Sequence, residues 1–160
     1  MDKKEKTIKI SVNVRGIFRN VKTGKITDRF EAHNLVVNVG LNSIASRLSG
    51  IDSPANKKGT ITYCALGTST TAADQGDTAL VAESIRKLVS VRSVASNVAK
   101  FRTFFNTSEG NINIREIGLF GDDASSTPDS GTLFARLIVS RDKTDAETLT
   151  LDWEVTVAAG

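Results

Sequence analysis

Three carboxylates in this chain are of a type that could support catalysis, namely Glu83, Glu116 and Asp152. Two carboxyl groups on either side of a glycosidic bond hydrolyse it when one acts as an acid and the other as a base or nucleophile. A hydrolase acting on cell-wall or surface glycans is therefore one hypothesis. Each of the three also has an ordinary place in a predicted strand or helix. The sequence favours that structural role and predicts no catalytic residue.

The single cysteine and the single histidine limit the other kinds of site. Cys64 stands in a dense apolar run, so we expect a small buried hydrophobic residue that forms no internal disulfide and no cysteine-rich zinc site. His33 has no carboxylate or cysteine at metal-ligand spacing nearby, which favours a turn or surface role. The sequence predicts neither a metal nor a cofactor.

Two polar segments have the composition of ligand-binding loops. Residues 67–77 place glycine and hydroxyl side chains after a strand, but they lack the lysine of a phosphate-binding loop. Residues 122–131 are acidic, but they lack the spacing and the terminal glutamate of a calcium-binding EF-hand. Both are expected to be surface connections. Residues 68–77 and 122–130 could gather with residues 50–59 at the ends of a sandwich and bind a surface glycan.

The composition predicts a soluble chain. At 160 residues, one domain over residues 8–160 is expected, preceded by a mobile or partner-bound arm at residues 1–7. No apolar run approaches the roughly 18 residues of a membrane span, and the charged start is no secretory signal, so synthesis in a cytoplasm is expected. The net charge of +3 is mild, and lysines cluster only near the N-terminus and at Lys57 and Lys58. With no exposed aromatic row to stack bases, no specific nucleic-acid binding is predicted.

Alternating apolar residues predict the elements that would position these side chains. The runs from Ile8 to Val14 and from Leu149 to Val157 are typical of half-buried strands, and Trp153 should be buried beneath the helix or the opposite sheet. The fold class is mainly β: an antiparallel β-sandwich or flattened barrel with one short core-packed helix at about residues 39–49, about eight strands against two helical segments in all. The first strand is a candidate for a sheet edge, where its backbone groups would accept a neighbouring chain.

Two helical segments are expected. In the first, Asn38 would be the N-cap and Gly50 the stop, and one stripe would face the core, formed by Leu41, Ile44, Ala45 and Leu48. The second is a helical turn over Thr78–Glu83, capped by Asp77. There Glu83 and Arg86 would form a surface pair that adds little stability.

A central strand is predicted over residues 111–121. Its alternation changes face at Arg115 and Glu116, which indicates a β-bulge, and the strand should be apolar on both faces for part of its length. The charged pair is expected at the wet end of this strand. Gly118 would mark a close approach of the backbone.

Five short segments occur in an order and spacing that resemble a known family. They are Asn34-Leu35-Val36 with Gly40-Leu41; Ala65-Leu66-Gly67-Thr68; Asp77-Thr78-Ala79-Leu80 with Glu83 and Arg86-Lys87; Arg115-Glu116-Ile117-Gly118-Leu119-Phe120; and Gly131-Thr132-Leu133-Phe134-Ala135-Arg136. This set, within about residues 34–157, resembles the small structural proteins of tailed bacteriophages and is similar to tail-collar-fibre-type β-domains. Residues 1–33 lie outside the resemblance.

The resemblance implies a non-enzymatic virion subunit that assembles with copies of itself and with other virion proteins. A tail, collar, neck or baseplate adaptor fits the chain length. The alternatives are a head-decoration protein, or a tail component that binds or hydrolyses host-surface glycans.

Overall fold

The computed structural model describes residues 7–50 and 60–160. Nine strands and one helix follow in the order β1 (Ile8–Asn20), β2 (Ile26–Val36), α1 (Asn38–Ser49), β3 (Ile61–Gly67), β4 (Glu83–Leu88), β5 (Val91–Ala95), β6 (Val98–Phe105), β7 (Asn113–Gly121), β8 (Thr132–Asp142) and β9 (Glu147–Ala159). The strands form one sheet in the order β4-β3-β7-β8-β2-β1-β9-β6-β5, and all their pairings are antiparallel.

The sheet curls into a half-barrel, so its two halves share one core. Cys64 on β3 and Trp153 on β9 are both fully buried in the same apolar cluster, although their strands are far apart in the sheet order. The mainly β fold class is confirmed, and so is the burial of Trp153 against the opposite half of the sheet. The architecture is consistent with a flattened barrel or sandwich carrying one short helix.

The first strand lies inside the sheet, so the prediction that it forms an edge is wrong. β1 pairs with β9 from Ile8 to Asn20 and with β2 from Val12 to Arg19. Its clean alternation came from one face on the core and one face in water, a pattern that any half-buried strand shows whether or not it has two neighbours. The edge strands are β4 and β5.

The two halves of the sheet are joined by a short seam between β2 and β8. Only Leu35 and Val36 of β2 pair with β8, opposite Arg136 and Ala135. Beyond that point the strands diverge. An ion pair of 2.9 Å from Arg141 to Asp28 bridges the gap, and the Arg141 guanidinium stands 5.4 Å from the centre of the Phe30 ring.

The central strand β7 contains the predicted bulge. Its pairing with β8 shifts register between Ile114 and Glu116, and both faces of the strand are covered. Ile117 and Leu119 pack in the main core, whereas Phe120 joins a second cluster on the other face. Gly118 lies under the side chains of Leu80 and Leu133, so its close approach is to side chains.

The helix is confirmed, but of its predicted core-facing stripe only Ile44 packs against the main core. Gly40 and Ser43 are the buried residues of α1, while Leu41 is 41% and Leu48 85% exposed. A Cβ on Gly40 would come within 2.3 Å of the backbone oxygen of Phe134, so α1 docks on β8 through its smallest residue. The N-cap is Val37, which makes no side-chain cap bond, rather than Asn38, and Gly50 ends the helix in the left-handed conformation as expected.

The second predicted helical segment is absent: residues 78–82 form an irregular connection, and β4 begins at Glu83. Leu80 of this connection is buried in the second cluster, whereas Val81 is exposed. Within residues 7–50 and 60–160, no helix has the length and apolar character that a membrane crossing requires.

Candidate functional site

Two buried ion pairs, Glu116–Arg136 and Glu83–Arg86, lie on the face of β4-β3-β7-β8 that is turned away from the main core. The bulge in β7 directs Glu116 to this face, where its side chain meets Arg136 of β8. Both side chains are fully buried, with 2.8 Å between Nη2 of Arg136 and Oε2 of Glu116. The prediction of a wet end of the strand is wrong for Glu116, because a loop covers it.

The guanidinium of Arg136 binds both Glu116 and that loop. Nε donates to Glu116, and Nη1 donates to Asp77 at 2.7 Å and to the backbone oxygen of Ala72 at 3.2 Å. Nη2 donates to the backbone oxygen of Thr71 at 2.8 Å and lies against Glu116. Since a guanidinium has five N–H donors, these partners satisfy all of them.

Glu116 binds the far end of the same loop. Its carboxylate accepts the backbone N–H of Val81 at 3.0 Å and of Ala82 at 2.7 Å. Gly67 makes room for this contact, because a Cβ there would stand 2.6 Å from Oε1 of Glu116 and from the backbone oxygen of Ala82. The pair Glu116–Arg136 therefore clamps the connection 68–82 against the sheet at both of its ends.

A second buried pair, Glu83–Arg86, clamps another loop on the same face. Both side chains are 1% exposed, and the guanidinium meets the carboxylate through Nε at 2.5 Å and Nη2 at 2.7 Å. Nη1 donates to the backbone oxygens of Ser125 and Ser130 at 3.2 and 2.8 Å. The predicted pairing is present, but it is buried on a strand, not exposed on a helical turn.

An aromatic ring completes the second clamp. The guanidinium of Arg86 stands 4.5 Å from the centre of the Phe120 ring, within the range of a cation–π contact. Gly131 closes the loop with φ of 76°, and a Cβ there would come within 2.5 Å of Ala124. The loop 122–131 is thus held by the hydrogen bonds from Arg86 and by its close turn at Gly131, and the Phe120 ring packs on the Arg86 guanidinium.

The three candidate carboxylates are not brought together in a cleft. Gly67 of β3 is the register partner of Glu83 on one side and of Glu116 on the other, so two strand spacings, roughly 10 Å, separate their backbones. Both carboxylates are covered and paired with arginine. Asp152 lies on the outer face of β9, where Arg102 donates to it at 2.6 and 2.9 Å.

The outer face of β2-β1-β9 carries a shallow polar groove. His33 is exposed there on a strand, which fits the predicted surface role. The groove has a volume of about 210 Å³ and is lined by Asn13, Val14, Arg15, Glu31, Ala32, His33, Asp152 and Glu154. It has no Phe, Tyr or Trp ring on which a sugar would stack.

The loops considered as ligand sites have internal roles. Asp77 accepts from Arg136, and Asp122 accepts from the Ser43 hydroxyl of α1 at 2.9 Å. Loops 68–77 and 122–131 meet on one sheet face rather than at the sandwich ends, and residues 51–59 lie outside the described residues. Among the described residues no group of three or more metal-ligating side chains could hold an ion.

Cys64 has the burial predicted for it. Burial raises the pKa of its thiol from 9.0 to about 12, although contacts with Trp153 and Thr103 act in the opposite direction. The thiol is therefore protonated at neutral pH and unreactive.

The burial of Lys143 and of Arg136 was not predicted from the sequence. Lys143 is 3% exposed, and its ammonium group donates to the backbone oxygen of Asn106 and to Oδ1 of Asn111, both at 2.8 Å. Burial lowers its pKa. For Arg136 the available signal is a charge inside an apolar run, Leu133-Phe134-Ala135-Arg136-Leu137.

No protein-family model, curated protein or solved structure matches this chain. The two clamps and the edges of the sheet are the features of this molecule that bear on its function.

Proposed function

We propose that this chain is a non-enzymatic structural subunit of a tailed-bacteriophage particle, acting as an adaptor in the tail, collar, neck or baseplate. It assembles by contacts with copies of itself and with other virion proteins. The observation that carries the proposal is the use of Glu83 and Glu116. Each is buried, paired with an arginine, and engaged by the backbone of a loop.

This use of charge favours a scaffold over an enzyme. A glycan hydrolase needs two carboxyl groups open to the substrate, with one able to deliver a proton. Here the carboxylates of Glu83 and Glu116 and their arginine partners bind the backbone of 68–82 and 122–131 and hold both loops on one sheet face. A rigid loop surface loses little conformational entropy when it binds a neighbour, which suits repeated assembly.

The residues behind the phage resemblance coincide with the clamps. Gly67, Asp77, Glu116 and Arg136 build the first clamp. Glu83, Arg86, Phe120 and Gly131 build the second. Four of the five short segments that resemble phage structural proteins therefore shape one surface, and this supports the proposal.

Location in a particle is the direct test. A phage lysate containing this chain would be purified, and particles would be labelled with an antibody and imaged. We expect label at the tail, collar, neck or baseplate, in several copies per particle. Label on the head would support the head-decoration alternative, and absence from particles would contradict the proposal.

A turnover assay tests the hydrolase alternative. Purified protein would be incubated with peptidoglycan and with capsular polysaccharide, and released sugars would be measured. We expect no release. Sugar release that Glu116→Gln abolishes while the circular dichroism spectrum is unchanged would contradict the structural role.

The N-terminal arm, residues 1–7, is proposed to contribute to assembly. Thr7 meets the other end of the chain, since its backbone oxygen accepts the N–H of Gly160 at 2.7 Å; residues 1–6 lie outside the described residues. Chains without residues 1–7 would be compared with full-length chains for incorporation into particles. Reduced occupancy is expected, and normal occupancy would leave assembly to the β-domain alone.

A further inference from the structure

The strand β5 forms an open edge of the sheet. β5 pairs with β6 on one side, and among the described strands it has no partner on the other. All five of its residues are exposed, including Val91 at 52% and Val94 at 75%. An exposed strand with apolar side chains is a template for pairing with another strand.

The direction of the free backbone groups follows from the hairpin. The two-residue turn at Ser96 and Asn97 makes Ala95 and Val98 a hydrogen-bonded pair. Because this pattern alternates, Ser93 also directs its backbone groups at β6. Arg92 and Val94 therefore direct their N–H and C=O groups outward.

We propose that β5 pairs with β5 of a second copy of this chain, antiparallel, about a two-fold axis at Ser93. This inference refines the proposed function by naming the contact between copies. The axis places Ser93 opposite Ser93 of the partner and places Arg92 opposite the partner's Val94. The outward groups of Arg92 and Val94 then form the hydrogen-bonded pairs.

The side chains of β5 complement themselves in this arrangement. Arg92 is the only charged residue of the strand, and the axis puts it beside valine and not beside the second arginine. Val91 lies opposite the partner's Ala95. The strand has no lysine, acidic residue or proline, which are the usual protections of an edge against such pairing.

The size of the contact predicts a weak dimer. A strand of five residues spans about 17 Å, and such a pair buries less than the roughly 1,200 Å² of a stable interface. Association should therefore depend on concentration in the isolated protein. In a particle, further contacts would hold the copies together and raise the effective concentration.

Cysteine cross-linking tests the two-fold pairing. Ser93→Cys places two thiols across a non-hydrogen-bonded pair with Cα atoms about 4.5 Å apart, close enough for a disulfide. Ser84→Cys, exposed on the opposite edge strand β4, is the control. The native Cys64 stays in place, because it is buried and its thiol has a pKa of about 12.

We expect Ser93→Cys to form covalent dimers under mild oxidation at least tenfold faster than Ser84→Cys. Equal rates for the two variants, or no cross-link in either, would overturn the proposal. Faster cross-linking between Ser93→Cys and Ser84→Cys in a mixture would also overturn it, since that result indicates a β5-to-β4 contact.

A charge substitution supplies a second measurement. Val94→Lys places a lysine opposite Arg92 of the partner, and we expect at least a tenfold higher dissociation constant by analytical ultracentrifugation. Val21→Lys is the matched control, because Val21 is 55% exposed in the β1–β2 turn. Equal dissociation constants for the two variants would refute the contact.

The outcome separates this inference from the proposed function. A protein that stays monomeric yet enters particles normally would refute the β5 contact alone. A protein that dimerises through β5 but is absent from particles would refute the virion role alone.

Discussion

Nη2 of Arg136 lies 2.8 Å from Oε2 of Glu116, and neither side chain is exposed. A buried pair of this kind is sensitive to the loss of one partner, because the other charge then remains in an environment without water. The stability of the first clamp is therefore the most direct test of the fold around the candidate site.

Arg136→Met should lower the free energy of unfolding by about 3–5 kcal/mol, the usual cost of leaving a buried charge unpaired. Urea denaturation measures it. Arg102→Met is the control: the Arg102 side chain is 53% exposed in its pair with Asp152, so we expect a loss below about 1 kcal/mol. Equal losses would mean that the clamp is no more important than a surface ion pair.

Trp153→Ala should lower the free energy of unfolding by about 3–5 kcal/mol, since it removes the largest fully buried side chain. Thermal and urea unfolding both report this change. Phe104→Ala, at a residue that is 42% exposed, provides the comparison and should cost much less. A loss below about 1 kcal/mol for Trp153→Ala would be incompatible with a buried ring.

Gly67→Ala should loosen the connection 68–82, because the added Cβ overlaps the Glu116 carboxylate and the backbone oxygen of Ala82. Limited proteolysis should cut this connection faster, while the rest of the chain keeps its circular dichroism spectrum. Thr68→Ala, at the exposed neighbouring residue, should leave the cleavage rate unchanged. Equal cleavage of all three proteins would show that Gly67 does not support the clamp.

Cys64 should make stability fall at alkaline pH. Its pKa is raised to about 12 in the folded protein from 9.0, so the folded state holds the proton more tightly between these values. The contribution of the Cys64 thiol to the free energy of unfolding is fully present below pH 9 and is lost as the pH rises toward 12. Cys64→Ala should flatten this part of the curve of unfolding free energy against pH. Parallel curves for the two proteins would contradict the raised pKa.

Local sequence patterns predicted where each strand or helix lies in the chain better than they predicted which elements it contacts. Alternation located β1 and β9. The bulge at Arg115 was predictable because it shifts the alternation of apolar residues from one face of the strand to the other. Gly50 at the end of α1 was equally local.

Contacts between distant segments were not predictable in this way. Glu116 was expected in water because its partner, Arg136, lies on another strand and its cover comes from residues 68–82. The apolar stripe of α1 did not predict the face that docks on β8. That face is centred on Gly40, which has no side chain and therefore allows the closest approach. The position of β1 depended on β9, at the other end of the chain.

The pairing of β1 with β9 can form only late in the synthesis of this domain. β1 and β9 are far apart in the sequence, since Ile8 pairs with Ala159. At roughly 5–20 residues per second, synthesis of the intervening chain takes about 8–30 seconds. The pairing of β1 with β9 therefore forms only after β9 has left the exit tunnel, and until then β2 is the strand available to pair with β1.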